Sequence, residues 1–292
     1  ANKKYAEAVT VAAEKCADDT KGQTCYICME VVHSSTGEGL VRGCACGDRD
    51  GVASGRAGIA HVSCLADQAK ILVAEGLENN LDLESRWERW YSCGLCKQQY
   101  YGVVRCALSW ACWKTYVGRP ETDQARRSAM TQLSNGLSAV KHHEGALSVI
   151  EAQLSMMRRV GADEEAMLIT QGNLANTYDD LGRLDQGLSM RQEVYSGHLN
   201  LNGEEHPDTL REAGNYAMSL IDLGRFGEAK ALLRKVIPVT RRVLGENHEF
   251  TLGMRRIYAT ALYKDDGATL DDLREAETTL EETERTARRV LG

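Results

Sequence analysis

The sequence predicts a mostly α-helical chain in two parts: a small module closed by two metal ions, then an α-solenoid of helix-turn-helix repeats. Two observations carry that expectation. Eight of the ten cysteines lie between Cys16 and Cys96, and none follows Cys112. Beyond Gly161, in contrast, short phrases of sequence return every 42 residues. The first pattern suits a core-poor region stapled by metal; the second suits stacked helix pairs.

Composition limits what such a chain does. Its 292 residues are enough for a module and a repeat array. A net charge of -7 disfavours non-specific attraction to nucleic acid or an anionic membrane. No segment reaches the roughly 18 uninterrupted apolar residues of a membrane helix. Neither nucleic-acid binding nor membrane insertion is expected. Residues 1–21 form an N-terminal segment whose short apolar run is bracketed by Glu7 and Glu14, unlike a secretory signal. A disulfide framework is therefore the poorer account of the cysteines, and an intracellular, cytoplasmic chain is expected. Because the sequence starts at Ala1, its natural start is expected to lie upstream.

Residues 22–100 hold the metal module. Seven cysteines and one histidine fall into four short pairs: Cys25–Cys28 in CYIC, Cys44–Cys46 in CAC, His61–Cys64 in HVSC and Cys93–Cys96 in CGLC. A short spacing turns two soft ligands toward one ion, and two pairs complete a tetrahedron. Thiolate-rich tetrahedra select zinc, so two structural zinc ions are expected, with no open position for a catalytic water. Spacing by itself leaves open whether adjacent or alternate pairs share an ion. The loop between Cys46 and His61 is glycine-rich (Gly47, Gly51, Gly55, Gly58) and needs only to carry the chain from one site to the other. Its GDRDG phrase, residues 47–51, lacks the further acidic ligands of a calcium loop and reads as solvated.

The ligand order, four cysteines, a histidine and three cysteines with one residue inside the second pair, resembles the RING-CH family of ubiquitin ligases. That resemblance implies an interleaved cross-brace: Cys25, Cys28, His61 and Cys64 on one zinc, and Cys44, Cys46, Cys93 and Cys96 on the other. It also implies a module without a nucleophile of its own, which holds a ubiquitin-conjugating enzyme and positions its thioester. Ile27 would contact that enzyme and Lys97 would meet ubiquitin. The sequence departs from the family in three ways, the first being a long stretch of 28 residues between Cys64 and Cys93. The Cys46–His61 gap is long, and Gln68 stands where the family commonly has tryptophan. Trp87 and Trp90 follow later, with Trp90 the candidate to substitute in partner contact or to pack around the second zinc.

Residues 101–124 read as a connecting helix and linker: YYGVVRCALSWACWKTYVG has helical apolar spacing, closed by Gly118 and Pro120. Cys106, Cys112 and the isolated Cys16 are expected to be small buried side chains. Residues 125–292 form the repeats, a weak copy at about 126–167, then 168–209, 210–251 and an incomplete 252–292. GADEEAML, GEEHPDTL and GENHEFTL begin at Gly161, Gly203 and Gly245, and NLANTYDDLGRL at Asn173 returns as NYAMSLIDLGRF at Asn215. Ala175, Ala217 and Ala259 are small where paired helices cross, and Gly182 and Gly224 end the first helices. His206 and His248 recur with the period as structural parts. Met156 and Met157 fill core, while His142 and His143 lie in a turn. Pro238 is expected to kink the second helix of its repeat.

These repeats resemble the long tetratricopeptide repeats of kinesin light chains, which implies a groove for a protein or peptide substrate. Asn173 and Asn215 are its candidate contacts, and helix-to-helix hydrogen bonding is the competing role for both. The chain stops at the glycine that would introduce another repeat. It is therefore expected to continue, or to end in a less stable helix. The function expected is a RING-type ubiquitin-protein ligase that recruits substrate through its repeats. The alternative is a non-catalytic, zinc-stabilised scaffold or adaptor.

Overall fold

A computed structural model describes residues 1–46 and 58–291. Loop glycines Gly47, Gly51 and Gly55, the GDRDG phrase and the terminal Gly292 lie outside the described residues. Two compact units emerge, Ala1–Gly161 and Ala162–Gly292.

Among the described residues of the first unit, regular structure is sparse around the cysteines and dense elsewhere. Helix α1 spans Asn2–Lys15 and is followed by a long irregular stretch. Strands β1 (Val41–Arg42) and β2 (Ile59–Ala60) pair antiparallel, Val41 opposite Ala60. Helix α2 covers Val62–Glu78 and α3 covers Leu83–Trp87, which tightens into a 3-10 turn at Glu88–Trp90. Three more helices complete the unit: α4 (Gly102–Tyr116), α5 (Gln124–Ser138) and α6 (His143–Val160). Asp82 and Asp123 cap α3 and α5 by accepting from the first free N–H groups.

Helix α4, read from sequence as a connector, is the spine of this unit. Val104, Ala107 and Leu108 join Val9 and Ala12 of α1 and the cysteine-bearing segments in one cluster. Ala111, Cys112 and Tyr116 meet Val73 and Trp90 in a second, and Cys106 meets Leu133 and Leu137 of α5 in a third. A helix that is apolar on all sides must be covered on all sides. Cys16, Cys106 and Cys112 are all buried, as are Met156 and Met157 on α6. His142 is exposed ahead of α6, and His143 is half-buried at its start.

The second unit consists of three helix pairs: α7 (Glu164–Asp180) with α8 (Leu184–Asn202), α9 (Pro207–Asp222) with α10 (Phe226–Leu244), and α11 (Glu249–Tyr263) with α12 (Leu270–Leu291). The 42-residue period is visible in the backbone. Gly161, Gly203 and Gly245 take positive φ values of 64°, 83° and 98°, and Gly182 and Gly224 both take 71°, a region open to glycine without steric cost. Between them the N-caps also recur. The Asp163 carboxylate and the His206 and His248 rings accept from backbone N–H groups of α7, α9 and α11.

Ala175, Ala217 and Ala259 are fully buried, which lets the paired helices approach, and Leu220 and Leu262 fill the turn beyond. One apolar cluster runs from Leu210 and Ala217 through Leu233 to Met254, Leu262 and Ala276. Pro238 lies inside α10, which continues across it rather than breaking. Nearby, Thr240 accommodates itself by donating to the Val236 carbonyl at 3.0 Å. Among the described residues, no helix is long and apolar enough to cross a membrane.

Candidate metal centres

Two knuckles of the same design begin the site. In CYIC, Met29 N–H donates to the Cys25 carbonyl at 2.9 Å and Cys25 N–H donates to Glu30 at 2.9 Å. In CGLC, Lys97 N–H donates to Cys93 at 2.9 Å and Cys93 N–H to Gln98 at 2.8 Å. Each knuckle closes through a non-glycine residue in the left-handed region, Met29 at φ 66° and Lys97 at φ 63°. Backbone closure of this kind points both sulfurs of a pair the same way. Ile27 N–H also donates to Cys25 Sγ at 3.4 Å, a contact that favours the thiolate.

The pairs assemble alternately. Cys25, Cys28, His61 and Cys64 form one group and Cys44, Cys46, Cys93 and Cys96 the other, with the ligand atoms of each group within 4.8 Å of one another. Of the two arrangements that spacing leaves open, the geometry is therefore the interleaved one. His61 Nδ1 lies 3.3 Å from Cys28 Sγ and 3.7 Å from Cys64 Sγ, and Cys46 Sγ lies 3.7 Å from Cys93 Sγ. A tetrahedron with metal–sulfur bonds near 2.3 Å and metal–nitrogen bonds near 2.0 Å has edges of about 3.5–3.8 Å. The separations fit such an ion, and each group could hold one.

Surrounding residues orient these ligands. The outer ring nitrogen of His61, Nε2, faces the Val31 carbonyl at 3.4 Å, leaving Nδ1 for the metal. Glu38 ties α1 to the histidine-bearing helix: Tyr5 Oη donates to its Oε1 and Ser63 N–H to its Oε2, both at 3.0 Å. Arg42 donates to the Cys46 carbonyl at 2.9 Å, and Ala45 N–H donates to Gln98 Oε1 at 3.3 Å, which joins the CAC pair to the CGLC knuckle. None of Glu38, Val31, Arg42 or Gln98 is marked by a motif, so a spacing argument passes over them.

Gly58 corrects the reading of the loop glycines as mere flexible links. A Cβ on it would lie 2.7 Å from Cys44 Sγ and 3.1 Å from Cys93 Sγ. Glycine is required there because the backbone touches the sulfur cluster.

Electrostatics explain why the clusters want a cation. Cys93 accepts from Cys44 and is held down at about 4, whereas donation to Cys93, together with burial, pushes Cys44 well above the ordinary thiol value. Burial, then its bond to Cys96, pushes Cys46 up to about 11. Burial likewise raises Cys64 and lowers His61. In the second group Cys93 forms a thiolate readily, whereas Cys44 and Cys46 ionise only against a positive ion.

The remaining candidates are distributed differently. Ile27 is half-buried against the apolar cluster of the first unit, and Lys97 is exposed at its knuckle. Trp90, offered from sequence as a partner contact, is 1% exposed and packs against Trp87, Tyr116 and Val73. Its ring is spent on the core, because an aromatic of that size stabilises most where it is covered. Gln68 is half-buried, its side-chain oxygen 3.7 Å from where a Cβ on Gly94 would stand. In the repeats, Asn173 is half-buried on α7. Asn215 donates to Glu212 Oε2 at 3.1 Å, one turn back on its own helix. Arg191, which no motif singled out, is buried and donates to Asn176 Oδ1 at 2.7 Å and Asp179 Oδ2 at 2.8 Å.

Residues 168–208 and 211–249 match the tetratricopeptide repeat family model. No curated protein matches the chain. Among solved structures, a putative kinesin light chain of Podosopora anserina with nearly identical TPR-like repeats is 18% identical with a TM-score of 0.54, covering 79% of this chain and 98% of that one. BtubC (BKLC) from P. vanneervenii is 12% identical with a TM-score of 0.58, covering 79% of this chain and 91% of its own. At such identities the likeness concerns fold alone: a tetratricopeptide-type α-solenoid like those of kinesin light chains.

Proposed function

We propose that the chain binds two structural zinc ions in a RING-CH-like module and acts as a ubiquitin-protein ligase, its repeats serving as the scaffold that captures a protein substrate. The single observation that carries the reading is the interleaving of the four pairs, with tetrahedral ligand separations in both groups. Cross-bracing makes each ion hold two distant segments, so the surface beside the knuckles is rigid without a large core.

That surface suits an apolar partner. Met29 is 70% exposed and Val31 58%, next to half-buried Ile27, while Leu95 is 46% exposed in the second knuckle. Apolar side chains held out on a rigid frame mark a protein contact. The conjugating enzyme would dock there, with Lys97 beside it to meet ubiquitin. Catalysis would then consist of holding a thioester in a reactive pose, with the nucleophile supplied by the substrate lysine. Seven cysteine ligands that must stay reduced imply a reducing, intracellular location.

The test is thioester discharge across a panel of ubiquitin-conjugating enzymes, with metal content measured on the same sample. We expect two zinc ions per chain, and discharge that falls about tenfold in Ile27→Ala. Zinc-loaded chain that accelerates no member of the panel would end the ligase reading. The adaptor alternative draws support from two features: Gln68 replaces the aromatic, and Trp90 is buried in the core. It predicts substrate capture by the repeats with no discharge.

A further inference from the structure

Between α3, α4 and α5 the first unit carries a groove of about 870 Å³ that neither metal centre uses. Its apolar lining includes Trp87, Leu83 and Val73 from α2 and α3, and its polar lining includes Arg105, Gln124 and Gln132 from α4 and α5. Its volume lies within the range of sites that hold small ligands or peptide side chains.

Two polar groups in it are incompletely used. Arg105 is half-buried, donates Nη1 to Gln99 Oε1 at 3.0 Å and keeps a buried Nε–H with no partner. No carboxylate among the described residues pairs with it. Burial alone lowers its affinity for its proton, the cost of a cation held away from water. Gln132 is more than nine-tenths buried, and its Oε1 accepts no hydrogen bond. Native structures rarely leave such groups idle. The other charges of the groove are accounted for: Arg119 pairs with Asp123 at 3.3 Å, and Glu84 is exposed on α3.

The idle groups specify a ligand with an anion for Arg105, an N–H donor for Gln132 and apolar surface for the lining at Trp87. Inorganic phosphate brings no apolar surface, and an ionised fatty acid brings no hydrogen-bond donor. We propose that this groove binds an acidic peptide segment, its carboxylate on Arg105, a backbone N–H on Gln132 Oε1, and a neighbouring apolar side chain against Trp87 and Leu83. A guanidinium already desolvated by the protein pairs with a carboxylate at less further cost than an exposed one. The site is independent of ligase activity, since it needs neither conjugating enzyme nor ubiquitin.

The experiment is fluorescence anisotropy on the full zinc-loaded chain, using two labelled probes capped at both ends: Leu-Glu-Leu-Glu-Leu and Leu-Lys-Leu-Lys-Leu. The acidic probe should bind saturably, weaken with added salt and outcompete the basic one. Arg105→Gln should weaken it about tenfold or more. Because Arg105 is partly buried, a surface variant guards against misfolding. Gln124 is exposed in the first turn of α5, where an acid suits the helix N-terminus. Gln124→Glu should therefore keep the melting point and still weaken the acidic probe, and Gln124→Lys should strengthen it. No saturable binding of the acidic probe, equal binding of both probes, or indifference to the Gln124 charge overturns the proposal.

Discussion

The cysteine-rich part of the first unit and the repeats of the second solve the same problem by opposite means. Among the described residues around the candidate metal centres, regular strand is limited to two residues each in β1 and β2, and bound ions would make order depend on eight ligand atoms at fixed places. In Ala162–Gly292, order depends on many interchangeable apolar contacts, repeated pair after pair. The first design concentrates stability in a few atoms, each indispensable. The second spreads it, so any one side chain costs only its own packing. Tolerance to substitution should therefore differ sharply between the two regions.

The largest expected effect comes from removing a ligand. Cys93→Ser, or chelation at neutral pH, should abolish one centre and remove on the order of 10 kcal/mol of metal-linked folding energy. Helicity of the second unit should survive, so calorimetry should show one transition lost and one kept. Acidification should do the same, because ligands bind deprotonated and protons compete as pH falls. A stripped chain with an unchanged melting profile would break the comparison.

Next in size is Leu233→Ala. Leu233 is fully buried in the cluster that joins α9, α10 and α11, and its truncation should cost about 2–5 kcal/mol. Chemical denaturation should show the loss in the second unit, with metal content untouched. A change in metal content would mean that the two regions are not independent.

A smaller effect sharpens the contrast within the metal module. Gly58→Ala forces a methyl to within 2.7 Å of Cys44 Sγ. The sulfur or the strand must shift, at a cost of about 1–3 kcal/mol. Metal affinity should fall about 10–100-fold, as for other changes beside a ligand, and competition with a colorimetric chelator reads it directly. Unaltered affinity would show that this approach is not tight in solution.

Smallest is Lys97→Gly, which removes the left-handed penalty at φ 63° and should stabilise the knuckle by about 1 kcal/mol. If the Lys97 cation serves ubiquitin, thioester discharge should drop despite the gain in stability. A gain in stability with discharge unchanged would leave Lys97 only its backbone role.

What was legible in the sequence followed from short-range chemistry and from period. Four close Cys/His pairs are visible because two soft ligands on one tight turn have few uses other than metal. The repeats are visible because the same small residue (Ala175, Ala217, Ala259) and the same glycine that introduces each copy (Gly161, Gly203, Gly245) return every 42 residues. The recurrence of His206 and His248 marks them as structural, and both cap helices. Cys106 and Cys112 were read as buried, and both are.

Contacts between distant segments decided the rest. Neither the use of Glu38 to join Tyr5 to the helix that bears His61, nor the inward turn of Trp90, nor the need for glycine at Gly58 has a local signature. The sequence marks no packing partner for the N-terminal segment, yet Val9 and Ala12 of α1 lie in the same cluster as Cys25 and Cys93. By itself, the sequence determined the paired helices of the repeats and which side chains can hold metal, since backbone turns and ligand chemistry act over a few residues. Only tertiary structure decided which pair meets which and which aromatic is covered. Those outcomes depend on the shapes of surfaces that exist only once the chain has closed on itself.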